Sequence, residues 1–252
     1  MTAISLATVS GNASGTGVSS GVTGSIAWGA STVLNFALVS WIANTSNDRT
    51  VTSVVGSGSL VFADCGAGRQ AKTIDGTSSV YHQVFYALGN NASEAVTVTM
   101  NGTVDFLRTH FCRASGDMDL GNAGANAIVQ HVGNTGASAT PSITLSSFGD
   151  ATNNAVLASW GADIAGGSGG DAPKSGFTQI HDFAQASRAL VYSEWRLGED
   201  TAPNYTSSPG SVPFAGVAIE IKSSAAGTPP PAGKLSLIGE RSALVGHGRV
   251  IG

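Results

Sequence analysis

The sequence predicts an all-β protein: an antiparallel, jelly-roll-like β-sandwich followed by an extended C-terminal tail. Three observations carry that expectation. Short runs rich in Val, Ile, Thr, Tyr and Phe recur along the chain, and such residues suit a pleated, half-buried surface. Clusters of Gly, Asn, Asp and Ser separate the runs at regular spacing, as the turns of a sandwich require. No stretch holds an uninterrupted 3.6-residue apolar period, so no amphipathic helix is expected.

Residues 4–9 alternate apolar and polar and form the first strand. Residues 11–25 are Gly/Ser/Thr-rich and weakly patterned, an irregular edge strand or a loop leading into Trp28. Residues 33–43 are the most apolar long run; a helix is conceivable, but β-branched and aromatic content favours a buried strand. A turn at 45–48 precedes strands at 50–55 and 60–64, with a short strand at 70–74 inside a polar loop. Residues 80–114 read as the centre of the sandwich, in three runs: 80–88, 95–100 and 103–114. Asn101-Gly102 between the last two accepts positive φ at both turn positions, so a three-stranded meander is expected. After a loop at 115–125 come strands at 127–132, 142–146 and 155–162, a flexible glycine tip at 166–170, and strands at 177–181, 188–197 and 212–222. Along 188–197, Leu190, Tyr192, Glu194 and Arg196 share one face, and Val191, Ser193, Trp195 and Leu197 share the other, because side chains alternate across a strand.

Three segments follow: a sandwich over 1–222, a Pro/Gly/Ala/Ser linker over 223–233, and an apolar tail over 234–252. Pro229, Pro230 and Pro231 stiffen the linker. The tail cannot bury Leu235, Leu237, Ile238, Leu244, Val245, Val250 and Ile251 by itself. It is expected to dock on another chain, in preference to folding back on the sandwich.

Charged residues are 11% of the chain, against about 25% in typical soluble domains. A surface of Ser, Thr, Asn and Gly is cheap to desolvate under a neighbouring subunit, although an extracellular or thermophilic bias would give the same composition. The net charge is −4 with no basic cluster, which argues against nucleic acid as partner. No apolar run is long enough to cross a bilayer. The N-terminal residues lack a basic segment and read as a strand, so synthesis and folding in a cytoplasm are expected.

No motif forms a convincing catalytic set. Gly66-Ala-Gly68 resembles part of a dinucleotide fingerprint, but a β-and-turn sequence follows where a helix is needed. Gly17–Gly21 and Gly167-Ser168 approach a nucleophile elbow without its strand-to-helix context. Asp117 and Asp119 could hold a cation in a loop, yet an Asx-type turn fits better. His82 and His110 are possible cross-strand neighbours without a third ligand. Asp105, Glu194 and Glu220 are strand carboxylates that could serve a hydrolase only if two met in a cleft. Cys65 and Cys112 are expected as buried thiols, with a bridge between them possible. No cofactor is expected. Trp28 and Trp195 are candidates for stacking on a glycan, though all four tryptophans sit in apolar runs that favour a core position.

The runs around Trp41, 50–55, 81–88 and 95–99 resemble β-sandwich domains of phage virion proteins and bacterial surface proteins. The tail, with 233–239 and 243–246, is similar to the Gly- and Leu-punctuated ends of tail, fibre and decoration proteins of tailed phages. The resemblance implies a non-enzymatic virion component, assembled in a bacterial cytoplasm. An outward-facing capsid decoration is the favoured position, and a tail-surface or glycan-binding module is the alternative. Its partners would be other virion proteins and further copies of itself.

Overall fold

The computed structural model describes residues 2–46, 48–164, 171–185, 188–208 and 210–224. The first half of the chain supplies β1 (Ser5–Ala27), β2 (Leu34–Asn44), β3 (Val51–Gly56), β4 (Ala63–Asp64), β5 (Gln70–Thr73), β6 (Ser78–Leu88) and β7 (Ser93–Ser115). These form one antiparallel sheet in the order β1-β7-β2-β6-β4, with β3 on β7 and β5 on β6. The second half supplies β8 (Ile128–Ser138), β9 (Ala155–Asp163), β10 (Ala172–Pro173), β11 (Thr178–Gln185), β12 (Ala189–Leu197), β13 (Tyr205–Thr206) and β14 (Val212–Ile221). Five of these build the second sheet, in the order β11-β12-β9-β14-β8, while β10 and β13 pair separately. A short 3-10 helix, Asn122–Ala127, connects the halves.

Alternation explains the layering. On β2, Leu34, Phe36 and Leu38 enter the layer between the sheets, where they meet Leu157 of β9, Val191 of β12 and Ile219 of β14. Ala37, Val39, Trp41 and Ala43 point the other way, into a second apolar layer with Trp28, Val96, Val98 and Phe111. That second layer exists because β1 and β7 are each 23 residues long. Their early and late halves pair in register from Ser5–Ser115 to Ala27–Ser93, with three shifts on the way. A third layer, with Trp160, Tyr192, Tyr205 and Phe214, covers the outer face of the second sheet. A strand buried on both faces reads as a continuous apolar run, and β2 and β9 do so.

The expected meander is corrected at both turns: β6 and β7 do not pair, because β2 lies between them, and the second turn does not form. Asn101-Gly102 lies inside β7, not in a hairpin. The Asn101 side chain accepts from the Thr50 amide at 3.1 Å and donates to the Asp48 carbonyl at 3.1 Å. Its amide thus serves the neighbouring segment, and β3 pairs alongside from Val51–Met100 onward. The weakly patterned 11–25 segment is strand throughout, because β7 satisfies its backbone. The expected strand at 142–146 is not a regular strand; it lies along 201–204 through the Ser142–Asn204 bridge and the Ile143 and Leu145 amides, which donate to the Pro203 and Thr201 carbonyls. Cys65 and Cys112 are both free and buried; burial pushes the Cys65 thiol up to about 12.

The registers define two poles. Leu34, Leu88, Ala114, Ala155, Leu197 and Ile221 lie at one end, and Asn44, Ser78, Phe106, Asp163 and Ala189 at the other. Both ends of the described chain gather at the first pole, around Asp117. The Thr2 amide donates to Asp117 Oδ2 at 2.6 Å, and the Ser224 amide donates to the Asp117 carbonyl at 2.9 Å.

Candidate functional site

The layer between the sheets changes character along its length. Near the chain ends it is aliphatic. Towards the opposite pole the same alternation brings in Ser40 on β2, His82 on β6, Arg108 and His110 on β7, Ser159 on β9, and Ser193 on β12, each at most 6% exposed. His82 and His110, possible cross-strand neighbours from the sequence, are not paired; β2 runs between them, with Ser40 opposite His82 and Leu38 opposite His110.

Ser40 Oγ and His82 Nδ1 are 2.7 Å apart, and both residues are buried. A serine–histidine pair is the germ of a nucleophile, but this one is sealed. Gly161 of β9 sits so close that a Cβ there would lie 2.4 Å from Ser40 Oγ. His82 Nε2 has no partner, so no acid orients the ring. Burial pushes its pKa down to about 3. The pair therefore ties β2 to β6 within the first sheet as a neutral hydrogen bond.

His110 meets His181 of the edge strand β11 in a stack, with centroids 3.3 Å apart and planes at 25°. Phe183 lies 5.8 Å from each ring. The Arg108 guanidinium is 4.1 Å from the Phe183 centroid. Burial lowers all three bases: Arg108 to about 10, His181 to about 4, and His110 well below its usual value, with His181 and Arg108 adding repulsion.

On the outer face of the second sheet lies an acidic counterpart. Glu194 is fully buried and accepts from the Lys174 amide at 3.1 Å. Burial raises its pKa to about 8. Tyr192 and Tyr205 stack beside it at 4.3 Å. Asp171, raised by burial, donates its amide to Asp182 at 3.2 Å. Lys174 Nζ pairs with Asp200 at 2.8 Å. Among the described residues no three His, Cys, Asp or Glu converge as metal ligands.

The remaining sequence candidates disperse. Asp119 accepts from Lys222 Nζ at 3.0 Å, whereas Asp117 turns to Thr2. Glu220 accepts from Asn154 and Gln130. Trp28 is corrected outright as a glycan platform. It is fully buried between Phe62 and Phe111, and its indole donates to the Glu94 carbonyl at 3.0 Å. Trp195 is half-buried against the inter-sheet layer. Leu235, Leu237, Ile238, Leu244, Val245, Val250 and Ile251 lie outside the described residues. Sequence reasoning missed Arg108 and His181 as a pair. They are 73 positions apart on different sheets, and no local spacing links them. No family model, curated protein or solved structure matches the chain.

Proposed function

We propose that this chain is a non-enzymatic structural component of a phage virion, an outward-facing capsid decoration anchored through its C-terminal segment. One observation carries the reading: the sandwich is polar in the axial sense. Thr2 and Ser224 meet at one pole, around Asp117, so the linker and tail that follow begin there. The strands lead away from that point to the opposite pole. A tether at the Asp117 pole would hold the other pole away from the particle. The sparse charge of the chain suits a surface shared with neighbouring subunits.

The test is immuno-electron microscopy on particles assembled in cells that make either the full chain or a chain ending at Ser224. Surface label with the full chain and none with the shortened one is the expected result. Equal label with both chains, or label with neither, sinks the reading.

A further inference from the structure

Arg108, His110 and His181 meet at the polar end of the inter-sheet layer, and of the three only His181 feels a carboxylate, that of Asp182. Arg108 is 6% exposed, and its Nε has no hydrogen-bond partner. None of the ion pairs among the described residues includes it. His110 Nε2 and His181 Nε2 are likewise buried without partners. Buried guanidinium groups are ordinarily satisfied by carboxylates or carbonyls, because an unpaired buried charge is strongly disfavoured.

The nearby acids are committed elsewhere. Asp182 is next to His181 in sequence but belongs to the opposite face of β11, opposite Tyr192, and accepts from the Asp171 amide. Asp163 on β9 is held by Arg188 through bonds of 3.1 and 2.9 Å. His82 on β6 is bonded to Ser40. Asp182 still acts on His181 through its charge, so the group left without a carboxylate partner among the described residues is the Arg108 guanidinium.

We propose that Arg108, His110 and His181 form a binding site for an oxyanion group, the carboxylate or phosphate of a small ligand. Phe183 covers one face of the guanidinium. That leaves its edge, where the N–H groups lie in plane, for a two-oxygen acceptor. The two Nε2 atoms supply further donors once each ring carries its proton there. Phe183 is 36% exposed, so the covering ring borders solvent and gives the ligand a way in. The site does not depend on the virion reading; it would serve any protein whose far pole meets acidic molecules.

The experiment uses the full chain at constant ionic strength with two probes, inorganic phosphate and glucuronate. Histidine ring resonances and the melting temperature are followed as each probe is added. Saturable shifts of His110 and His181, with His82 unmoved, and a rising melting temperature are expected. Arg108→Gln should weaken binding roughly tenfold or more, the loss of a charge-assisted bond, and Arg108→Lys should retain part of it. His181→Gln provides the same comparison should Arg108→Gln not fold. A response to phosphate alone identifies the ligand group as phosphate, and to glucuronate alone as carboxylate. No saturable response to either, or one unchanged in Arg108→Gln and His181→Gln, means that water satisfies these groups and overturns the proposal.

Discussion

Glu194 and the inward histidines tie this fold to pH from opposite sides. Glu194 holds its proton up to about pH 8, whereas an unfolded glutamate releases it near 4.3. Its contribution is complete below the unfolded value and drains as pH rises towards 8. Replacing Glu194 by Gln, which keeps the amide acceptor but cannot ionise, should flatten that decline. Urea midpoints at pH 5, 6.5 and 8 should fall more steeply in the parent, by up to about 1.4 kcal/mol per pH unit. The histidines act in reverse. An unfolded histidine takes a proton near 6.5, while His181 refuses it to about 4 and His82 to about 3. Stability is whole above 6.5 and lost as pH falls through that window. His82→Asn should lower stability at pH 7, because Ser40 loses its partner, yet lose less between pH 6.5 and 4 than the parent. Parallel melts at the two pH values check this. At this scale the sequence was half legible. Alternation places Tyr192 and Glu194 on one face, and they are found there; the apolar run around Trp28 favours the core position it takes, but nothing local names Phe62 and Phe111 as its partners.

At the scale of elements, the instructive case is Asn101-Gly102. Local turn chemistry favours a hairpin, and tertiary pairing overrides it. β1 pairs with β7 on both sides of this dipeptide, at Val104 and again from Thr99, while β3 pairs from Met100 and the Asn101 amide donates to the Thr50 carbonyl. An interrupted β7 would leave those backbone groups unpaired, at a cost of about 1–3 kcal/mol for each one buried. Gly102 has no positive φ, so the backbone itself does not demand glycine. A Cβ there meets only the end of the Arg49 side chain. Gly102→Ala should therefore shift stability by no more than about 1 kcal/mol, where a type I′ turn would suffer. Gly161 is the contrast. A Cβ there meets Ser40 Oγ at 2.4 Å and the Tyr81 carbonyl at 3.1 Å, pressing on the facing sheet. Gly161→Ala should cost about 1–3 kcal/mol by overpacking. Equal unfolding midpoints for the two variants would contradict this account of both strands. Strands such as β2, β6 and β9 were readable because a doubly buried strand writes itself as an apolar run. The 11–25 segment of β1 was not, because Gly, Ser and Thr carry little pattern and its partner is far along the chain, from Asn12–His110 to Ser25–Ala95.

For the whole molecule, the consequence of gathering Thr2 and Ser224 at Asp117 is mechanical. A pull between the two ends of the sandwich loads the Asp117 bonds one after another, like a zip opened from its tab. A pull between the tail and the far pole acts differently. It runs along β14, whose bonds to β8 and β9 lie across the line of force and resist together. The same backbone ladder is thus weak to one direction and strong to the other. A molecule held at one pole and tugged at the other meets load along its strong axis.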